Sequence, residues 1–147
     1  NRTKGQCLEG IEVVGAFNPI PNKFYQETCL SAYVESNCMR PDLIHVTEKT
    51  YEPLVKGHFV LPFANPGSVA HIRRLGFQLP DFIDYSYDKI EDKQQRLQAY
   101  LNEVERLLSI PLNIWQEHWV DNQDLRQYNQ QRFKELDYHR VDLTKFL

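Results

Sequence analysis

The hydrophobic positions predict strands and helices in alternation along the middle of the chain. Cys29 to Val34 is a compact apolar run, typical of a strand covered on both faces. His58 to Pro62 is a second such run, rich in large apolar side chains and closed by proline. Residues 47–57 lie between them and predict a helix that ends at Gly57, because glycine suits the position after a helix.

A second helix is predicted directly after the second strand. Asn65 is a suitable N-cap for a helix whose first residue is Pro66, and Gly76 marks its end. Its apolar face carries three residues at helical spacing, Val69, Ile72 and Leu75. Strand, helix, strand and helix in this order indicate the α/β class. We therefore expect a Rossmann-like, mostly parallel sheet with helices on its faces.

The two ends of the chain differ from this middle part. Residues 1–25 are rich in turn formers and predict an irregular segment, in which Ile11 to Phe17 is a candidate strand or hairpin arm. Residues 26–90 form the predicted α/β core, and residues 91–147 the C-terminal helices, with a break at Asp121-Asn122. An apolar stripe marks the first of these helices: Ile90, Leu97, Leu101, Val104 and Leu108, with Glu103, Glu105 and Arg106 outside it. We expect these C-terminal helices to cover the sheet rather than to form a surface for a binding partner.

The length, charge and cysteine content of the chain narrow the class of protein. A chain of 147 residues suits one domain. Its net charge of −3 does not favour nucleic acid as a partner, and it has neither a long apolar run nor a signal-peptide core. Three cysteines cannot all pair, which favours free thiols in a cytoplasmic protein. The sequence begins with Asn1, so we expect a fragment of a longer protein, associated with a membrane only through parts not included here.

The most informative polar segment is Thr47-Glu48-Lys49-Thr50, between a strand and a helix start. An open α/β sheet places its ligands at such junctions. The helix start and Lys49 would attract phosphate, Glu48 could accept from the vicinal hydroxyls of a ribose, and the two threonines could cap the helix or contact phosphate. The residues alone favour a simpler interpretation, an N-cap threonine followed by a surface Glu and Lys.

Other polar residues are weaker candidates. Asp81, Asp84 and Asp88 could offer a general base, but a loop whose carboxylates cap the following helix is favoured. Arg73 and Arg74 suit the last turn of a helix without any ligand. The five histidines lack metal-ligand spacing, so no metal site is predicted. His58, at the head of a strand, is expected to be a packed residue.

Four elements in order resemble the donor-site region of fucosyltransferase-type glycosyltransferases and of poorly characterised bacterial and viral proteins. They are Thr47 to Thr50, Pro66-Gly67, Leu75-Gly76-Phe77 and Ser86-Tyr87-Asp88. The resemblance covers roughly residues 25–108. It implies the C-terminal, donor-binding half of a GT-B glycosyltransferase, with an N-terminal acceptor domain outside this chain. It departs from the fucosyltransferase pattern at Pro53 and Pro62.

The resemblance also implies roles for individual residues. Glu48 would hold the donor ribose and Lys49 the diphosphate, with Thr47 and Thr50 beside them. The turn that contains Asn65, Gly67 and Ser68 would face the sugar or phosphate. The reaction would be a metal-independent transfer of a hexosyl or fucosyl group to a saccharide hydroxyl, with no cofactor besides the nucleotide-sugar substrate and with the catalytic residues unknown. The alternative is a non-catalytic α/β module for interaction or structural support.

Overall fold

The structure is a computed structural model that describes residues 21–36 and 43–136. Its helices and strands are, in chain order, α1 (Asn22–Glu27), β1 (Leu30–Val34), α2 (Glu48–Val55), β2 (Phe59–Phe63), α3 (Ser68–Arg74), a 3-10 turn (Ser86–Lys89), α4 (Lys93–Leu108), α5 (Leu112–Asp121) and α6 (Gln123–Glu135). None of these helices is both long and apolar enough to cross a bilayer. The predicted strand at Ile11 to Phe17 lies outside the described residues.

The predicted α/β class is confirmed by a parallel pair of strands. β1 and β2 pair with Leu30 opposite Phe59 and Val34 opposite Phe63, and α2 connects them. All five residues of β2 are buried, as its apolar sequence predicts. Within the described residues the sheet has two strands, so the wider Rossmann-like sheet stays a prediction.

Side chains cover the edge of β2 that faces away from β1. Alternate residues of a strand point their backbone groups to opposite edges, and Phe63 O faces β1, where it accepts from Glu35 N. On the other edge, Tyr85 Oη donates to Val60 O at 2.8 Å, Tyr87 Oη donates to Pro62 O at 2.7 Å, and Arg96 Nε donates to Ala64 O at 3.1 Å. Pro62 has no N–H to offer a third strand. This edge is therefore closed by side-chain donors.

The prediction that β1 is covered on both faces is wrong. Its burial alternates: Leu30, Ser31 and Tyr33 are half-buried, whereas Ala32 is exposed and Val34 is 51% exposed. One face of β1 packs on the core, and the other lies open in the described part of the chain. An apolar run of six residues, such as Cys29 to Val34, cannot by itself distinguish a central strand from a half-covered one.

The first predicted helix is confirmed and the start of the second is corrected. Thr47 is the N-cap of α2, and Gly57 follows its C-cap with φ of 78°. The predicted helix start at Pro66 is wrong, because Gly67 has φ of 81° and ψ of 2°, and Ser68 N donates to Asn65 O at 3.1 Å. These values describe a type II turn with Pro66 and Gly67 at its centre. The helix α3 therefore begins only at Ser68.

The predicted apolar stripe of α4 is confirmed only in part: Val104, and Ile90 just before the helix, pack against the core, whereas the three leucines do not lie on the buried side. Leu97, Leu101 and Leu108 are exposed, at 39%, 42% and 79%. The buried side is one residue earlier in register and consists of Arg96, Tyr100, Glu103 and Leu107. Arg96 is buried because its guanidinium donates to three backbone carbonyls, and Glu103 because its carboxylate accepts from Asp84 N and Arg106.

The last two helices close the core, with the break between them where it was predicted. α5 ends at Asp121 and α6 starts at Gln123. Asn129 on α6 exchanges two hydrogen bonds with the backbone of Gln78, at 2.8 and 2.7 Å. Gln130 and Arg132 donate to the C-terminal ends of α2 and α3, at Val55 O and Leu75 O. α6 therefore supplies partners for the last carbonyls of both core helices.

We predict that Tyr87→Phe lowers the free energy of unfolding by about 1–2 kcal/mol, because the buried carbonyl of Pro62 loses its donor. Urea denaturation measures the change. The matched control is Tyr128→Phe, whose ring lies on α6 and is 45% exposed. An equal effect of both variants would show that the hydrogen bond from Tyr87 Oη to Pro62 O adds no stability beyond that of an exposed tyrosine hydroxyl.

His58 is a packed residue, as predicted. It is 2% exposed, and its ring nitrogens lie 2.9 Å from Tyr25 O and 3.1 Å from Ser31 Oγ. Burial lowers the pKa of His58 below its usual value, and the Arg126 guanidinium lowers it further, whereas hydrogen bonds to backbone groups partly oppose both effects. The folded protein therefore resists protonation of this imidazole.

We predict that the wild-type protein loses stability as the pH falls through about 6.5, because the unfolded chain then binds a proton that folded His58 refuses. His58→Gln removes this contribution. Urea denaturation between about pH 7.5 and 5 therefore gives a shallower loss for the variant than for the wild type. Parallel curves for the two proteins would contradict the assignment to His58.

Candidate functional site

The candidate site lies where the two strands end. β1 and β2 are parallel, so their carboxyl ends share one edge of the sheet. Glu35 and Ser36 follow β1 there, and Asn65 to Ser68 follow β2. The helices α2 and α3 begin beside these residues. The predicted site residues from both junctions are therefore brought to one edge, at the place where open α/β sheets bind ligands.

Thr47 and Thr50 turn inward, onto a carboxylate that the sequence analysis did not single out. Glu35 is 4% exposed. Its Oε1 accepts from Thr47 N at 3.0 Å and from Thr50 Oγ1 at 2.7 Å, and its Oε2 accepts from Thr47 Oγ1 at 2.6 Å. Tyr33 Oη is 2.5 Å from Thr50 Oγ1. The two threonines therefore fix the helix start to the end of β1.

Glu48 and Lys49 project to the outside, between the two threonines. Their side chains are 41% and 39% exposed, and Lys49 Nζ lies 3.6 Å from Glu48 Oε1. Lys49 Nζ also donates to Ser36 Oγ at 2.9 Å. A half-exposed ion pair contributes little to stability. The ammonium and carboxylate are accordingly available to a ligand at a small cost in lost contacts.

The turn after β2 is tied to the segment that precedes α2. Asn65 is 4% exposed and donates from Nδ2 to Leu43 O at 2.6 Å. A Cβ added at Gly67 would lie 3.6 Å from Ile44 Cδ1. Ser68 is 2% exposed, and its Oγ has no hydrogen-bond partner within the described residues. The turn is therefore tied to Leu43 and lies close to Ile44.

Asp88 occupies the start of α3. Its Oδ1 accepts from Val69 N at 2.9 Å and its Oδ2 from Ala70 N at 3.1 Å, while Asp88 O accepts from Gly67 N. The expectation that this aspartate caps the following helix is therefore wrong: Asp88 caps the preceding one, and Asp92 caps α4. The first amides of α3 already hold an internal anion.

A shallow hollow of about 370 Å³ opens beside the turn that contains Pro66 and Gly67. Gly67, Arg73, Asp88 and Lys89 are among the residues that line it. Arg73 lies in the last turn of α3, as predicted, and its guanidinium stands 5.4 Å from the centre of the Tyr85 ring. Of the predicted site residues, Gly67 lines this hollow, whereas residues 47–50 do not.

Sequence reasoning missed Glu35 because no motif contains it. Its one signal is position: it is the first charged residue after an apolar strand, twelve residues before Thr47. A charged side chain at the carboxyl end of a buried parallel strand falls at the edge where α/β proteins place polar sites.

Known proteins add nothing to this geometry. No protein-family model, no curated protein and no solved structure matches the chain.

Residues 21–36 and 43–136 contain no group of three or more His, Cys, Asp or Glu side chains arranged to hold a metal ion. Cys29 is a half-buried free thiol, and Cys7 and Cys38 lie outside the described residues.

Proposed function

We propose that this chain is the donor-binding domain of a GT-B glycosyltransferase, with Glu48 and Lys49 as its contacts to a nucleotide-sugar donor. The observation that carries the proposal is the position of this pair. Both side chains are half-exposed and adjacent, in the first turn of α2, at the carboxyl end of two parallel strands. In the proposed domain, a wider Rossmann-like sheet would extend from the β1 side of this pair, because side-chain donors close the outer edge of β2.

The two side chains have complementary chemistry for such a donor. The ammonium of Lys49 would neutralise the diphosphate, whose negative charge grows as the sugar departs. The carboxylate of Glu48 would accept hydrogen bonds from the two ribose hydroxyls. A cationic side chain performs the charge stabilisation that a divalent metal provides elsewhere, so the proposed transfer is metal-independent.

Internal carboxylates change the roles of the other predicted residues. Glu35 and Asp88 accept from the backbone at the starts of α2 and α3. Attraction of a diphosphate therefore falls on Lys49 rather than on the bare helix ends. Thr47 and Thr50 would hold the first turn of α2, and the turn that contains Asn65, Gly67 and Ser68 would face the sugar or phosphate.

The acceptor hydroxyl and the base that deprotonates it belong, in this proposal, to an acceptor domain outside this chain. The bond between the anomeric carbon and the diphosphate would break as the acceptor oxygen attacks. The present chain alone is then expected to bind nucleotide weakly and to transfer nothing.

We predict that the chain binds at least one of ADP, CDP, GDP, UDP and dTDP in titration calorimetry at low salt. Lys49→Ala should weaken binding about tenfold, because a charge-assisted contact to phosphate is lost. Glu48→Ala should weaken binding of the ribonucleotides more than binding of dTDP, since deoxyribose lacks one of the two hydroxyls.

Matched controls separate this site from general charge effects. Lys134→Ala and Glu117→Ala remove the same charges from exposed positions on α6 and α5. They should bind like the parent. Absence of binding to every nucleotide, or parental affinity in both site variants, would sink the proposed function.

A non-catalytic α/β module is the second candidate, and specific contacts favour it. Lys49 already pairs with Glu48 and Ser36, and both helix starts hold internal carboxylates. In such a module these residues would only stabilise the fold. Lys49→Ala would then lower the melting temperature slightly and change no ligand affinity.

A further inference from the structure

We infer that Glu35 is a positioning residue, which fixes the first turn of α2 and so sets the direction in which Glu48 and Lys49 project. The anchoring of the turn stands on the observed contacts. The consequence for ligand binding rests on the proposed function.

The carboxylate joins two elements that are otherwise separated by a loop. Glu35 directly follows β1, and its backbone N donates to Phe63 O at 2.9 Å, which continues the ladder between the strands. Its side chain accepts from the backbone and hydroxyl of Thr47 and from the hydroxyl of Thr50. The sheet edge and the helix start therefore share one buried anion.

The spacing of the two threonines explains why this anion controls the neighbouring pair. Thr47 and Thr50 are three residues apart, so they lie on the same side of the helical turn. With both held on Glu35, the residues between them must face away from it. Thr50 is fully buried, whereas Glu48 and Lys49 are about two-fifths exposed. The anchor thus sorts four consecutive polar residues into an inner and an outer pair.

A second contact links the anchor to the ammonium group. Ser36 N lies 3.2 Å from Glu35 Oε2, and Ser36 Oγ accepts from Lys49 Nζ at 2.9 Å. Glu35 therefore holds the residue that orients Lys49, as well as the helix start from which Lys49 projects. A carboxylate suits this position because its four contacts, the amides of Ser36 and Thr47 and the hydroxyls of Thr47 and Thr50, are all donors.

The first test needs no ligand. In Glu35→Gln, the amides of Thr50 and Tyr51, which both donate to Thr47 O, should exchange with deuterium about tenfold faster relative to Phe59 in β2, because the first turn can open locally. Glu103→Gln is the matched control, since it neutralises a buried carboxylate on α4. Unchanged protection in Glu35→Gln, or an equal effect in the control, overturns the anchoring. If Glu35→Gln does not fold, Thr50→Val tests the same turn through the amide of Tyr51.

The second test measures coupling in binding. With the best of the five diphosphates, Glu35→Gln should weaken binding about tenfold in the parent and much less in a Lys49→Ala background, because the two residues act as one unit. The same fold-loss in both backgrounds overturns a role through Lys49. If the parent binds none of the diphosphates, the proposed function fails, while hydrogen exchange still decides whether Glu35 anchors the turn.

Discussion

The structure depends on satisfying the backbone of one fully buried strand. β2 carries five buried residues, including a proline, so each carbonyl on its outer edge needs a donor that a third strand would ordinarily supply. Tyr85, Tyr87 and Arg96 supply those donors. Tyrosine hydroxyls are protonated at neutral pH, and burial raises the pKa of these two further, so both stay donors. This constraint recruits the segment after α3 and the first turns of α4 into the core.

Buried polar groups are also paired within the protein at the carboxyl ends of the strands. Glu35 satisfies the start of α2, and Asp88 satisfies the start of α3. Since Asp88 belongs to the same 3-10 turn as Tyr87, the cover of β2 and the cap of α3 are parts of one segment. The adjacent side chains of Glu48 and Lys49 stay about two-fifths exposed at this edge. Stability and the candidate site are thus tied to the same few buried contacts.

Elements set by local patterns could be predicted from the sequence. The two strands, the α2 cap at Thr47 and the break at Asp121 follow from apolar runs and capping residues. The buried face of α4 could not be predicted, because Arg96 and Glu103 are buried through contacts with distant backbone groups. For the same reason, the geometry of the candidate site could be predicted only in part. The predicted helix start points to Glu48 and Lys49 as candidate ligand contacts. The inward direction of Thr47 and Thr50 could not be predicted, because it depends on their hydrogen bonds to Glu35.

Chemical-shift mapping tests the central claim most directly. In amide NMR spectra of the wild-type chain titrated with the tightest of the nucleoside diphosphates, the largest changes should fall on Glu48 and Lys49. The amides of Val69 and Ala70 should change little, because Asp88 already occupies them. Largest changes in the hollow around Arg73 and Lys89, or displacement of Asp88 from α3, would contradict the account.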